Sequence, residues 1–420
     1  MSKTLVVVGQ GYVGLPLSRE AVASGLRVRG LDLDGRIVDS LNQSISHVDD
    51  ISSADLASMV CQGYQATTSP LAIAEADYVV ICVPTPLSQD NSPDLGAVKA
   101  AARSIAAHLR KGAVIVLEST TYPGTTDQLV KGILDDAGHR IDEDYFLAFS
   151  PERIDPGNSV HGLRNTPKVV GGVTAASTRK AVELYSRFID SVVEVPGARE
   201  AETAKLLENT YRHVNIALVN EMAKFCHEMG IDLWSVIDAA RTKPFGFEAF
   251  YPGPGVGGHC IPIDPNYLSY EVKRSLGYPF RFVELAQEIN QSMPRYVVGR
   301  LQDLLNERGK PLRGADVLLL GVTYKANIAD QRESPAAPLA EVLRLKGARV
   351  AFHDPHVDQW RLGDATLRRV ADLDSAASAS DAVLLLQRHR DYDVEHLAAI
   401  SPLLFDTRGA ASRNSRAVRL

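Results

Sequence analysis

Cys260 stands in the run Pro252-Gly253-Pro254-Gly255-Val256-Gly257-Gly258-His259-Cys260-Ile261-Pro262-Ile263-Asp264-Pro265. The thiolate is the nucleophilic form of cysteine, and nearby positive charge draws the ordinary thiol pKa of about 8.5 downward. Turn-making alone does not account for so many glycines. Backbone without Cβ atoms can approach a bound ligand and offer it N–H donors. Asp264 follows four residues on, close to the thiol if this stretch forms the first turn of a helix. Lone cysteines are ordinarily inert buried thiols, and that reading serves Cys61, Cys82 and Cys226. In its glycine loop, Cys260 is read as a nucleophile.

Other side chains suit the same kind of chemistry. Lys205 and Asn209 are four apart in a helical stretch and share one face, where a cation and an amide can hold a developing alkoxide or oxyanion. A solvated helix face is the competing reading. Glu152, in Ser150-Pro151-Glu152-Arg153-Ile154-Asp155-Pro156-Gly157, follows a strand-like run at 145–149. Ligands of open parallel sheets bind at the carboxyl ends of strands, although an ordinary loop carboxylate would look the same. Thr120, in Glu118-Ser119-Thr120-Thr121-Tyr122-Pro123-Gly124-Thr125-Thr126, is placed similarly; hydroxyls there orient water or satisfy turns.

These residues need a scaffold, and its start is legible. Gly9-Gln10-Gly11-Tyr12-Val13-Gly14 is a GxGxxG between a predicted strand at 4–8 and a predicted helix at 15–24. The first glycine permits the tight turn, the second lets backbone approach a pyrophosphate, and the third lets helix pack on strand. Asp32 ends the second predicted strand, 26–33, where a carboxylate accepts both ribose hydroxyls of NAD. No arginine immediately follows to pair a 2′-phosphate, which favours NAD over NADP. Asp34 falls beyond the strand and reads as solvated. Strand-like runs at 78–83, 113–117 and 145–149, with a helix at 97–110, continue the alternation and imply a parallel sheet covered on both faces.

The pattern changes near residue 200. Residues 200–229 lack Gly and Pro until Gly230, and Leu206, Leu207, Tyr211, Val214, Leu218, Met222 and Phe225 recur at helical spacing. A second long helix is predicted at about 281–308. Alternation returns with strands at 315–320, 349–353, 382–386 and 403–405 and a helix at 334–346. The expected fold is α/β: an N-terminal Rossmann domain (1–199), a central helical spine carrying the Cys260 loop (200–308) and a C-terminal Rossmann-like α/β domain (309–420). Of the 420 residues, 45% are hydrophobic and 23% charged, which excludes a disordered or fibrous chain. A net charge of −6 gives no footprint for nucleic acid or an anionic membrane, and no apolar run approaches a bilayer span. The four cysteines show no metal-ligand spacing, so no metal is expected, and free thiols in a reducing cytoplasm are.

Taken together, these motifs resemble the nucleotide-sugar 6-dehydrogenases of the UDP-glucose/GDP-mannose dehydrogenase superfamily. The resemblance also includes Cys82-Val83-Pro84-Thr85-Pro86, Glu202 with Asn220-Glu221, Gly321-Val322-Thr323-Tyr324-Lys325, and Asp330-Gln331-Arg332-Glu333-Ser334-Pro335, in the expected order over nearly the whole chain. It implies oxidation of a sugar C6 hydroxymethyl to a carboxylate with two NAD⁺ and no free aldehyde. Cys260 would hold the sugar as thiohemiacetal and then thioester, while Lys205 and Asn209 stabilise oxyanions. Asp264 and a water near Thr120 would assist proton movement, and Glu152 would activate water for hydrolysis. By the same resemblance Gly9, Gly11, Tyr12, Val13, Gly14, Asp32, Pro84, Thr85, Thr120 and Arg332 serve NAD. Glu152, Lys205, Asn209, Tyr251, Gly257, Lys325 and Arg408 serve the nucleotide sugar, and the long helices imply a homodimer. UDP-glucose enzymes usually carry a cross-subunit arginine before the glycine run. Here that stretch is Lys243-Pro244-Phe245-Gly246-Phe247 with Arg241 only nearby, so none is assigned.

Residues 242–247, 150–158 and 118–124 look most like bacterial enzymes acting on UDP-N-acetylhexosamines, especially UDP-GlcNAc; UDP-glucose and dTDP-glucose stay open. A two-electron hydroxyacid dehydrogenase would share the Rossmann start and the lysine–asparagine helix, yet has no need of Cys260 or of so large a C-terminal domain. A non-catalytic nucleotide sensor would have no need to retain Cys260, Lys205, Asn209, Asp264 and Glu152 together.

Overall fold

Short aliphatic runs, each closed by glycine or a polar loop, set the first layer of the chain. The computed structural model describes residues 3–48, 50–88, 92–154, 160–258 and 261–420, and it separates into two compact units. The first comprises residues 1–208 and 266–278, the second 209–265 and 279–420.

In the first unit the strands are β1 (Thr4–Val8), β2 (Arg27–Leu31), β3 (Gln65–Thr67), β4 (Tyr78–Ile81), β5 (Ala113–Leu117), β6 (Tyr145–Phe149), β7 (Lys168–Gly172) and β8 (Val192–Glu194). They form one sheet in the order β3-β2-β1-β4-β5-β6-β7-β8, and the order reverses about β1, where a doubly wound sheet opens its ligand crevice. Helices α1 (Gly14–Ala23), α2 (Gly35–Asn42), α3 (Ser53–Cys61), α4 (Gly96–His108), α5 (Lys131–Asp136) and α6 (Ala175–Tyr185) lie between strands in the chain. β1, β4 and β5 are buried along their whole length, as strands covered on both faces must be. The expected all-parallel sheet holds up to β6; β7 then pairs antiparallel to it. Described residues 150–154 and 160–167 between them form no helix, so the crossover that a parallel neighbour needs is missing there.

α7 (Ala198–Glu228) is a single helix of 31 residues that starts in the first unit and continues into the second. α8 (Leu233–Ala240), α9 (Asp264–Leu276) and α10 (Arg281–Glu307) follow. The second unit then builds β9 (Asp316–Leu320), α11 (Ala336–Leu345), β10 (Arg349–His353), the hairpin β11 (Gln359–Leu362) and β12 (Ala365–Arg368), α12 (Leu373–Ala379), β13 (Ala382–Leu385), α13 (Val394–Ile400), β14 (Leu404–Asp406) and β15 (Val418–Arg419). Its five-stranded sheet, β10-β9-β13-β14-β15, is parallel throughout. Leu319, Leu384, Phe352 and Phe405 of this sheet, with Leu301 of α10 and Leu339 of α11, share one core cluster. The α/β, helical, α/β succession is therefore present. Among the described helices none is long and apolar enough to cross a membrane.

Candidate active site

In the first unit, the glycines of 9–14 answer to three different neighbours. A Cβ on Gly9, at φ +93°, would come within 2.6 Å of the Cys82 carbonyl, and one on Gly14 within 1.9 Å of the Gly9 carbonyl. At Gly11 a Cβ would meet nothing within 4 Å. Packing explains the outer two; the middle one leaves open room at the start of α1, as the approach of a pyrophosphate requires. Gln10, fully buried, donates from Nε2 to the Val7 carbonyl at 3.0 Å and accepts from the Tyr64 hydroxyl at 2.7 Å, pinning the turn. Asp32 lies one residue past β2. Its Oδ2 accepts the Gln10 backbone N–H at 2.9 Å and its Oδ1 that of Asp34 at 3.0 Å, which fixes the carboxylate at the mouth of the turn. Asp34 caps α2 and pairs with the well-exposed Arg36 at 2.8 Å. These residues fit NAD. Tyr12 is exposed and Val13 half-buried beside the turn. Pro84 and Thr85 follow β4, and the Thr85 carbonyl accepts from the Tyr267 hydroxyl at 2.8 Å.

Glu152 and Lys205 meet in the same unit. Lys205 Nζ donates to the Glu152 carbonyl at 2.7 Å. Glu152 Oε1 accepts the backbone N–H groups of Arg153 and Ile154 at 2.7 and 2.6 Å, while the buried Oε2 has no hydrogen-bond partner among the described residues. Behind it, Lys168 Nζ lies 3.5 Å from Glu152 Oε2 and 2.9 Å from Glu118 Oε2; the Tyr185 hydroxyl closes on Glu118 from the other side. Burial pushes the Glu118 carboxyl up, and Lys168 pulls it back. The sequence reading passed over Lys168. Its signal was a single cation in the otherwise apolar Lys168-Val169-Val170. Thr120 is half-buried just beyond β5, next to Ser119, whose hydroxyl donates to the Val83 carbonyl at 2.7 Å. Glu202, noted only as part of a motif, accepts from the N–H groups of Gly124 and Thr126 at 2.8 and 2.9 Å and from the Thr126 hydroxyl at 2.7 Å, at the N-terminus of a π-helical segment, Thr125–Val130.

In the second unit, Asn209 Nδ2 donates to Asp264 Oδ2, and both side chains are buried. Asp264 opens α9 directly behind a turn at 261–263. Cys260 itself lies outside the described residues. Of the other cysteines, Cys82 and Cys226 are buried as read; Cys61 is exposed at the end of α3, because the helix closes on the unit's surface there.

The loop glycines have nearer neighbours than a ligand. A Cβ on Gly257 would lie 2.7 Å from the Glu333 carbonyl and 2.9 Å from Tyr324 Cβ; on Gly258 it would lie 3.0 Å from the Tyr324 ring, and on Gly255 3.0 Å from Pro335. A Cβ on Gly253 would sit 2.7 Å from Arg408 Nη1. The glycine run thus lets the backbone close on residues 324–335, the stretch holding Lys325 and Arg332. Lys325 is half-buried, with its carbonyl accepting the Thr323 hydroxyl at 2.8 Å. Arg332 makes a two-pronged contact with Asp330 at 2.9 and 2.8 Å. Arg408 donates from Nε to the Leu386 carbonyl at 2.6 Å; burial draws its pKa down to about 10, leaving it cationic at neutral pH. Tyr251 stacks on Trp234 at 5.8 Å, and the Trp234 indole donates to the Leu420 carbonyl at 3.1 Å.

Three family models match this chain in order: the NAD binding domain of the UDP-glucose/GDP-mannose dehydrogenase family at residues 3–189, its central domain at 199–292 and its UDP binding domain at 318–413. The chain belongs to that family. It is an NAD-dependent nucleotide-sugar dehydrogenase, and the Gly9–Gly14 turn with Asp32 lies in the NAD binding domain. A UDP-N-acetyl-D-mannosamine dehydrogenase of Salmonella typhi is 34% identical over 93% of this chain and 94% of its own length. An NDP-N-acetyl-D-galactosaminuronic acid dehydrogenase of Ralstonia solanacearum is 35% identical over 97% and 96%. Among solved structures, a UDP-D-ManNAc dehydrogenase from Pyrococcus horikoshii matches with a TM-score of 0.89 and 29% identity over 99% of this chain and 98% of that one.

Proposed function

We propose that this dehydrogenase oxidises the C6 hydroxymethyl of a UDP-N-acetylhexosamine to the uronic acid in two oxidations, keeping the half-oxidised sugar on Cys260 between them. The observation that supports this reading best is the Lys205–Glu152 contact. It ties a buried cation to the backbone of a carboxylate that has one oxygen fixed by two backbone N–H groups and the other free of hydrogen bonds among the described residues, with only the Lys168 ammonium 3.5 Å away, as a base awaiting a water would be. The UDP-GlcNAc type is the first candidate, and the relatives named for N-acetylmannosamine and N-acetylgalactosaminuronic acid support the acetamido class.

NAD⁺, when bound, accepts a hydride from the sugar C6 in each oxidation. Lys205 and Asn209 offer N–H donors to the C6 oxygen, first as alkoxide and later as the anion formed when the Cys260 sulfur adds to the aldehyde carbon. Loss of a second hydride from that thiohemiacetal leaves a thioester. Glu152 takes a proton from water as its oxygen attacks the thioester carbon; the C–S bond breaks, the thiol is restored and the carboxylate leaves. One alcohol, two NAD⁺ and one water give one carboxylate, two NADH and three protons. Asp264, bonded to Asn209, and Thr120, beyond β5, assist proton movement. Lys325 and Arg408, with Tyr251 and Gly257, are assigned to the nucleotide sugar and Arg332 to NAD. Segments 1–199, 200–308 and 309–420 divide these tasks in a cytoplasmic enzyme.

We also propose a homodimer. Leu207, Tyr211, Leu218 and Phe225 on α7 are each 46–66% exposed and fall on one helix face, an apolar stripe that a second copy would cover.

The test is a count of NADH formed per sugar across UDP-GlcNAc, UDP-ManNAc, UDP-GalNAc, UDP-glucose and dTDP-glucose. Two per acetamido sugar is the expected result; one would overturn the covalent scheme. Glu152→Gln should slow turnover by about 10²- to 10⁴-fold and trap the acylated protein as an intact-mass increase. Cys260→Ala should form no acid.

A further inference from the structure

The second unit holds a half-open cavity of about 270 Å³ that none of the roles above uses. The end of α7, the start of α8, α10 and β15 wall it, through residues that include Cys226, His227, Asp232, Arg300 and Arg419. Arg300 is the unusual member. Only 8% of it is exposed, and its Nη1 is buried with no hydrogen-bond partner among the described residues. Its guanidinium lies 5.7 Å from the centroid of the Phe405 ring, a face that attracts a cation without accepting the in-plane hydrogen bonds of the fork. The second arginine of the cavity is already committed: Arg419 pairs with Asp232 at 2.8 Å. Glu228, Asp303 and Glu307 are close enough to influence His227, yet none is within ion-pair distance of Arg300 among the described residues.

A buried guanidinium with neither counter-charge nor full hydrogen bonding is costly to keep, and buried charges in folded chains are normally paired. We propose that this cavity is a binding site for a small oxyanion, a carboxylate or phosphate group, held by Arg300. The planar fork of arginine matches two oxygens of either group. Burial is the main cause that holds His227 below its ordinary pKa, with Arg300 adding to it. The neutral ring that results can donate or accept beside the anion. Size narrows the ligand. With about 30 Å³ per liquid water and drug-sized pockets of about 300–1,000 Å³, the cavity suits a small metabolite and is too small for a nucleotide sugar. At about 100° per residue, Ala223, Cys226 and His227 face roughly 140°, 80° and 180° away from the centre of the exposed α7 stripe, so a second copy on that stripe leaves most of this face uncovered.

Full-length wild-type protein, R300Q and R300K are titrated with inorganic phosphate and, separately, with acetate at matched ionic strength, and followed by calorimetry and thermal midpoint without coenzyme or sugar. Saturable binding of either anion to wild type, weakened about tenfold or more in R300Q, is the expected result, and the anion that binds names the group. In anion-free buffer R300Q should be at least as stable as wild type, since it removes an uncompensated charge. Should R300Q fail to fold, R300K decides: it keeps the charge, loses the fork and should bind more weakly than wild type. No saturable binding of either anion to wild type, or equal binding to wild type and both variants, overturns the proposal. Because neither coenzyme nor sugar enters the measurement, its outcome is separate from that of the catalytic scheme.

Discussion

Gly11 and Gly14 belong to one hexapeptide, yet a methyl group would meet opposite surroundings at the two positions. Gly11→Ala meets no protein atom within 4 Å, so the fold should survive with an unchanged melting midpoint while NAD affinity falls about tenfold or more by calorimetry. Gly14→Ala would place Cβ 1.9 Å from the Gly9 carbonyl and should destabilise the protein by about 1–3 kcal/mol in urea titration. Glu202 makes the pH case. Burial raises its carboxyl from 4.5 to about 7, against the pull of its three donors. The folded state therefore holds a proton that the unfolded chain has already released. Its contribution to stability is complete below about 4.5 and is lost as pH rises through about 7. Urea midpoints followed across that window should decline in wild type and stay flatter in Glu202→Gln. Lys168→Met strips the shared cation from two buried carboxylates and should cost about 3–5 kcal/mol, with Lys168→Met plus Glu118→Gln recovering part of it.

At the scale of elements, α7 bears the dimer prediction. Leu218→Glu with Phe225→Glu adds charge to the exposed apolar face and leaves buried Leu206 and Ala217, which face about 90–110° away on the helix, untouched. Sedimentation velocity should then show monomer where wild type shows dimer. Long periodic elements were plain in the sequence: β5, β6 and β10 have the predicted bounds, and α10 ends one residue early. Short or irregular ones were not. β3 and β8 are three residues each, too brief for a period to register. β7 hid behind its leading lysine, whose partners Glu118 and Glu152 are far away in sequence. The hairpin of β11 and β12 turns at Gly363-Asp364 in a stretch rich in arginine.

For the whole molecule, the alternation of strands and helices revealed the architecture, and motif order revealed the family. Side-chain meetings across distant sequence were out of reach. The spacing of Lys205 and Asn209 gave their shared helix, but not that one would donate to the Glu152 carbonyl and the other to Asp264. The loop glycines were legible as a need for close approach, while the approaching group, Tyr324 with Glu333 and Pro335, was not. NAD should raise the unfolding midpoint of the first unit, which holds the Gly9–Gly14 turn, in far-ultraviolet circular dichroism.

Both tryptophans of the chain, Trp234 and Trp360, lie in the second unit. Trp234 is pressed against Gly409, where a Cβ would fall 2.4 Å from the ring, and is tethered through its indole N–H to Leu420. Tryptophan emission consequently originates in the second unit alone. A red shift on deleting residues 418–420 would mark the loosening of that indole from its seat.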